Sequence, residues 1–274
     1  MSIRLIATDL DGTLLNSDHL VSPVTEQALY DALAQGILFT VATGKTFPST
    51  IEWIRKFNIQ IPVICGNGTI IHAPDGTVLY ENPLARDVAI EVVQMARAAD
   101  MTPIVYSGPG LLTSGPDHGI DVLVAHHEPQ PEIIEDLEKA LGNGRTPHKL
   151  ILINEDNLAG VADFQLELER TFAGRARILR SGLASVVEVL PLNVSKGSAL
   201  TVILEYLNIP AGQVIAFGDN CNDLEMIKAV GIGVAMGHSP DDVRRRADYV
   251  TGTNDEDGVG LALRELVLDK ELHA

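Results

Sequence analysis

Residues 3–13 read Ile3-Arg4-Leu5-Ile6-Ala7-Thr8-Asp9-Leu10-Asp11-Gly12-Thr13, a short apolar run that stops at two carboxylates and a glycine turn. A run of this length bounded by turn residues is the pattern of a buried strand. Comparable runs stand at 37–42, 62–65 and 214–217, and all four are read as buried parallel strands. Amphipathic stretches with helix punctuation lie between them. Ser22-Pro23 opens one that stops at Gly36, and residues 196–207 form another that ends ahead of Pro210. Alternation of this kind predicts an α/β fold with a doubly wound parallel sheet. Its ligands should bind at the carboxyl ends of the strands, where strand order reverses.

The middle third follows a different pattern. Residues 70–72 and 78–81 flank Pro74-Asp75-Gly76, a hairpin signal, and a helix is expected over 84–99. Strands are expected over 103–113 and 150–154, and helices over 132–141 and 158–172. The last helix carries Leu158, Val161, Phe164, Leu168 and Phe172 on one face. Gly and Pro at 108–110, Gly115-Pro116 and 142–144 mark turns inside this region. It is enough for a small α/β layer of its own, within a length of 274 residues that allows a core plus a second domain. The expected organisation is a core of 1–82 plus 190–274, with an inserted smaller α/β domain over 83–189.

Composition removes several classes of function. A chain that is 46% hydrophobic and 21% charged is neither disordered nor fibrous. Thirty-seven acidic against 20 basic side chains, a net charge of -17, oppose any nucleic-acid partner held by its phosphates. Cys65 and Cys221 form no CxxC pair or Cys/His cluster and are expected to be reduced thiols. Arg4, Asp9 and Asp11 interrupt the start where a signal peptide needs an apolar stretch, and no run reaches membrane-spanning length. A cytoplasmic protein without a membrane partner is expected. His72, His118, His126, His127 and His148 lack metal-ligand spacing and are expected on the surface or in loops. Arg244 to Arg246 read as a solvated helix face pairing with Asp241 and Asp242.

Four motifs stand at expected strand ends or helix starts: Asp9-Leu10-Asp11-Gly12-Thr13, Thr43-Gly44-Lys45, Lys196-Gly197, and Gly218-Asp219-Asn220-Cys221-Asn222-Asp223. In order and placement they resemble the haloacid dehalogenase superfamily, and Gly66-Asn67-Gly68 after the third strand is similar to its Cof-type sugar-phosphatase branch. The resemblance runs over nearly the whole chain, strongly at both ends and weakly through the middle.

The residues also have a physical reading of their own. A phosphomonoester carries close to two negative charges, so a carboxylate reaches its phosphorus only after cations and aligned N–H donors offset the repulsion. Asp9, just beyond an apolar strand, is placed to be the nucleophile of an aspartyl-phosphate pathway. Asp11 lies two residues on, on the same side if the chain stays extended. It can protonate the leaving oxygen and then deprotonate the attacking water. By the resemblance, an acid at Asp11 favours phosphomonoester hydrolysis or mutase chemistry over that of the transport ATPases or dehalogenases.

Asp219 ends another buried strand, and Asp223 follows in the first turn of the next helix, where carboxylates can converge on a hard divalent cation. Asp9, Asp219 and the Asp11 main-chain carbonyl would suffice as protein ligands of Mg2+. The resemblance adds Asp223 as a nearby acid that ligates directly or through water. Asn220 and Asp223 read alone are helix caps.

The Thr43 hydroxyl and Gly44 N–H can donate to phosphate oxygens as an anion nest, although Thr43 alone reads as a cap. The family has Arg where Lys45 stands, so a bidentate contact is lost. Lys196 opens a helix, where a cation opposes the dipole unless an anion is near. It can hold the nucleophile and the phosphoryl group together. Asn67 and Asn222 resemble family positions that touch substrate or phosphate, and Asn67-Gly68 is equally a turn former.

The expectation is a magnesium-dependent phosphatase of small phosphorylated metabolites, sugar phosphates foremost, with the inserted domain as a cap that excludes water and selects the leaving alcohol. A phosphosugar mutase, or a phosphosugar-binding regulatory protein with weak turnover, would share the same residues. Oligomeric state stays open between monomer and weak dimer.

Overall fold

The computed structural model describes residues 2–115 and 117–269, and Pro116 of the expected Gly115-Pro116 turn lies outside them. The described residues divide into two compact units. One comprises 2–44, 51–79 and 195–269; the other comprises 45–50, 80–115 and 117–194. Two of the crossings lie at 79/80 and 194/195, where the expected boundaries were 82/83 and 189/190. The excursion at 45–50 was not expected.

In chain order the first unit begins with β1 (Leu5–Thr8), α1 (Pro23–Ala34), β2 (Leu38–Val41), α2 (Ile51–Lys56), β3 (Val63–Cys65) and β4 (Ile70–His72), and β5 (Val78–Glu81) runs across the crossing into the second. The second unit contributes α3 (Arg86–Ala98), β6 (Thr102–Ser107), β7 (Gly110–Thr113), α4 (Ile120–Ala125), β8 (Glu132–Ile133) and α5 (Leu137–Gly142). It continues with β9 (Lys149–Ile153), α6 (Leu158–Thr171), β10 (Ala176–Arg180) and β11 (Val186–Pro191). The chain then returns through α7 (Lys196–Leu207), β12 (Val214–Gly218), α8 (Leu224–Lys228), β13 (Ile232–Ala235), α9 (Asp241–Arg244), β14 (Tyr249–Val250) and α10 (Gly258–Leu263).

The first unit holds a five-stranded sheet in the order β14-β13-β12-β1-β2, parallel throughout. β1 and β12 are wholly buried, as their uninterrupted apolar sequence requires of strands covered on both faces. After β1 the chain moves to one side, to β2, and later returns on the other side at β12. The β1/β12 border is therefore where strand order reverses.

Ser22 caps α1 by accepting from the Thr25 N–H at 3.1 Å, and Pro23 fills its first turn. β3 departs from the expected parallel sheet. It pairs antiparallel with β4 in a separate three-stranded sheet, β3-β4-β5, and is bridged to the main sheet at Ala42↔Ile64. Three residues are too few to reveal in sequence which partner they take.

The second unit is a six-stranded sheet in the order β10-β11-β9-β6-β7-β8. Its pairings are antiparallel except β7 with β8. α3, α5 and α6 cover one face around Val92, Leu137, Leu152, Phe164, Leu168 and Val187. The strand expected over 103–113 is a hairpin turning at Gly108. The helix expected over 132–141 is realised only in α5, which Asp136 caps through the Lys139 N–H. Leu158 is 51% exposed, outside the buried face that Val161, Phe164 and Leu168 share. Among the described residues no helix is long and apolar enough to cross a membrane.

Of the histidines expected on the surface or in loops, two are buried, one within a strand and the other in the bend before β9. His72 lies in β4, and His148 is held between the Gly108 N–H and Glu81. Arg244 pairs with Asp241, and Arg246 with Asp242 at 3.1 Å, as the helix spacing predicted.

Candidate active site

Asp9 follows β1, Thr43 follows β2 and Asp219 follows β12, so three adjacent parallel strands deliver all three to the same edge of the sheet. The Asp9 N–H still donates to the Phe217 carbonyl at 3.0 Å, continuing the ladder one residue beyond β1. The next residues break away. Gly12 has φ +76°, and a Cβ there would lie 2.9 Å from an Asp219 carboxylate oxygen, so this turn fits only glycine. The Thr13 hydroxyl donates to Asp219 Oδ1 at 2.8 Å, tying the two strand-end loops together.

Lys196 is the first residue of α7, whose cap Ser195 forms a reciprocal pair with Ser198. Its side chain is fully buried, with Nζ 2.8 Å from Asp9 Oδ1 and 2.6 Å from Asp223 Oδ1. Burial alone would push this ammonium down. The charges of Asp223 and Asp9 reverse that and hold it above the ordinary lysine value.

Asp223 serves two ends at once. Its Oδ1 receives Lys196, while its Oδ2 accepts the N–H groups of Asp219 at 3.1 Å and Asn220 at 3.0 Å. The capping reading and the chemical reading of this residue thus describe the two oxygens of one carboxylate.

Carboxylate oxygens of Asp9, Asp219 and Asp223 lie within 4.8 Å of one another. Desolvation pushes the Asp9 carboxyl well above its ordinary range; Lys196 counters this and the charges of Asp223 and Asp219 add to it. Asp219 is pushed up to about 7 by burial and then by Asp223, against the lowering effect of the Thr13 hydrogen bond and Lys196. Three converging acids and one ammonium leave an excess of negative charge, and an all-oxygen set suits a hard divalent cation. Asp9 and Asp219 fit direct ligation. Asp223, already engaged by three donors, fits support of Lys196 and of the Asp219 loop. Asp11 is half-buried, with Oδ1 3.7 Å from His19 Nδ1.

The remaining expected residues form one side of the same region. The Thr43 N–H donates to Ile64 at 2.9 Å, and the Asn67 N–H donates to the Thr43 carbonyl at 2.9 Å. Asn222 Nδ2 donates to Asn67 Oδ1 at 3.0 Å, so the two asparagines are joined. Asn67 takes φ +58°, and the following Gly68, at φ +101°, sits where a Cβ would collide with the Ser195 carbonyl oxygen. Gly44 lies beside the Asn67 amide, where a Cβ would stand 3.1 Å from Oδ1. Lys45 is buried and begins the segment that groups with the second unit.

The sequence reading missed Thr13 as a partner of Asp219, and His238, whose Nε2 lies 3.9 Å from Asp219 Oδ2. His238 had a legible signal. Gly237-His238-Ser239 follows strand β13 on the same sheet edge, as the other motifs follow theirs.

A family model of haloacid dehalogenase-like hydrolases matches residues 6–263. The chain belongs to that family. It is 31% identical over 290 residues to phosphatase YwpJ of Bacillus subtilis (strain 168), covering 97% of this chain and 100% of the relative. It is 33% identical to an HMP-PP phosphatase of Serratia proteamaculans (strain 568), across 86% and 84% of the two chains. A haloacid dehalogenase-like hydrolase from Bacteroides thetaiotaomicron superposes with a TM-score of 0.83 at 27% identity, over 97% of this chain and 100% of that one. This haloacid dehalogenase-like chain is therefore an enzyme of a family whose relatives here are named as phosphatases, in keeping with its Cof-type motifs.

Proposed function

We propose that this enzyme is a magnesium-dependent phosphatase that hydrolyses small phosphomonoesters, sugar phosphates foremost, through an aspartyl phosphate on Asp9. The observation that carries the reading is the fully buried Lys196 ammonium, bonded at once to Asp9 and Asp223 beside Asp219. A structural ion pair needs one partner acid. Three acids around one cation at the carboxyl edge of a parallel sheet suit phosphoryl chemistry.

Asp9 and Asp219, with the Asp11 carbonyl, would hold the cation, which when bound supplies positive charge against the phosphoryl oxygens. Lys196 orients the Asp9 carboxylate and offsets charge on the incoming phosphate. Thr43 and the Gly44 N–H receive the phosphate oxygens, with the Asn67–Asn222 pair bracing that turn. Asp9 Oδ attacks phosphorus as the ester P–O bond breaks, and Asp11 in its acid form gives its proton to the departing alkoxide. Asp11, now a carboxylate, takes a proton from water whose oxygen attacks the same phosphorus, releasing inorganic phosphate and restoring Asp9. The second unit acts as the cap that selects the alcohol. The names of the phosphatase relatives support a small phosphorylated substrate.

The test is free-phosphate release from a panel of phosphosugars and a chromogenic phosphomonoester, with magnesium or with chelator. Release with magnesium and none with chelator is expected. Isomerised phosphosugar without free phosphate would replace the reading with a mutase.

Magnesium should also act on stability in a pH-dependent way. Without metal, Asp219 holds its proton up to about pH 7 in the folded protein, against an ordinary value of 3.8 in the unfolded chain. The folded state binds more protons across that window, so this residue's contribution to stability is lost as pH rises through it. Asp9 and Asp219 would hold a dication there, whose charge would take the place of that proton and offset the repulsion. Saturating magnesium should raise the melting temperature by several degrees at pH 8 and hardly at pH 5. Equal shifts at both pH values would remove Asp219 from the ligand set.

A further inference from the structure

The mechanism above leaves one heavily engaged buried acid unused. Glu128, in the second unit, is 6% exposed. Its Oε2 accepts the Thr46 hydroxyl at 2.7 Å and the Ser49 hydroxyl at 2.8 Å, and the Thr46 N–H lies 3.2 Å from each oxygen. Its Oε1 accepts the Tyr106 hydroxyl at 2.8 Å. Tyr106 is fixed in turn. Lys149 Nζ stands 4.3 Å from its ring centroid and pairs with Glu188 at 2.7 Å. The carboxylate is thus anchored to the sheet of the second unit through one oxygen and grips the 46–49 turn chiefly through the other.

That turn is the unexpected excursion of the chain. Lys45–Thr50 groups with the second unit, while the residues on either side, ending at Gly44 and resuming at Ile51, group with the first. The gripped turn is joined through Lys45 to Thr43-Gly44. Bonds to an ionised acceptor are about twice as strong as neutral ones, so this grip outweighs ordinary turn bonding.

We propose that Glu128 is a positioning residue for phosphate binding: it clamps residues 46–49 and so fixes the backbone on which Lys45 follows Thr43-Gly44. The proposal rests on Thr43-Gly44 being the phosphate-receiving turn. In Glu128→Gln the new NH2 group can only donate, and one of the donors now facing an oxygen would face it instead. The hydroxyls can turn to accept from that group, but the acceptor loses its charge, so the grip on the turn is weakened while the side-chain volume stays the same.

The test uses the full chain, a chromogenic phosphomonoester with magnesium, inorganic phosphate as inhibitor, and hydrogen exchange over 45–50. Glu128→Gln should speed exchange in that segment and lower kcat/KM by about 10- to 100-fold, the scale of a slight misplacement of a binding group. The loss should fall mainly on KM and on inhibition by phosphate. In a Thr43→Val background most of the loss should vanish, because both changes act on the same phosphate contact. Tyr106→Phe, which removes the anchor but leaves the Thr46 and Ser49 bonds in place, should lose less than Glu128→Gln. If Glu128→Gln does not fold, Thr46→Val with Ser49→Ala opens the same grip and carries the same expectation.

A full additional loss in the Thr43→Val background overturns the proposal, and so does a loss in Tyr106→Phe equal to that in Glu128→Gln. Unchanged exchange and kinetics in Glu128→Gln, with an active parent, overturn it while leaving the phosphatase reading intact. A parent that releases no phosphate overturns that reading and the positioning role with it.

Discussion

Asp9→Asn is expected to abolish phosphate release, by on the order of 10^4- to 10^6-fold, while the metal-free protein at pH 8 melts no lower than the parent. The amide is nearly the same size but cannot serve as the nucleophile, so the covalent step is lost. Stability follows the opposite course. Burial and two neighbouring acids hold the Asp9 carboxyl well above its usual range, so its ionised form works against the fold. Lys196 still retains Asp223 at 2.6 Å when Asp9 is neutralised. Phosphate release and a thermal melt read the two effects separately. Residual turnover above a few per cent of the parent would show that Asp9 is not the nucleophile, and a large drop in melting temperature would show that its charge is structural.

Lys196→Met should lose both turnover and stability. Removing the cation leaves Asp9 and Asp223 buried without their partner, a change that costs about 3–5 kcal/mol when one member of a buried pair is deleted. The loss should be smaller at pH 5 than at pH 8, because Asp9, whose carboxyl lies well above its ordinary range, can relieve the repulsion by taking up a proton. Adding Asp223→Asn should restore part of the stability. The amide oxygen can still accept the Asp219 and Asn220 N–H groups, and its NH2 faces a thioether rather than an ammonium. Activity should stay absent. Chemical denaturation at the two pH values checks this, and a double variant no more stable than the single one would show that the Lys196–Asp223 attraction is not what Asp223 contributes.

The two ends of the chain were readable because each of their elements carries its own punctuation. α7 runs from Lys196 to Leu207 as expected, with Ser195 ahead of it, and β1 and β12 are apolar runs closed by Asp or Gly. The site residues sit directly after those strands, so placing the strands placed the residues. Their mutual contacts were not readable. Nothing local in the sequence assigns one Asp223 oxygen to Lys196, 27 residues away, and the other to its own loop.

The middle third was less legible for the same reason. β10 and β11 carry Arg177, Arg180 and Glu188 inside otherwise apolar runs, and their strand character comes from antiparallel pairing with each other and with β9. β8 is two residues long and exists through its pairing with β7. Glu128 gave no signal because its donors come from residues 79–82 positions earlier and from Tyr106.

The pairing of β1 with β12 bears on how the protein emerges from the ribosome. Leu5 stands opposite Val214, and the neighbouring Arg4–Gln213 contact spans 209 residues. β1 is thus synthesised long before β12, its central neighbour. Residues 80–194 leave the ribosome as one uninterrupted stretch with all of β6 to β11, and domains generally fold as units during synthesis. That stretch can close its own sheet while β1 still has an unpaired edge, which is the arrangement most exposed to association with another chain. The acidic centre is thus assembled only when residues 214–223 arrive, so a truncated nascent chain carries the nucleophile's loop without the groups that position it.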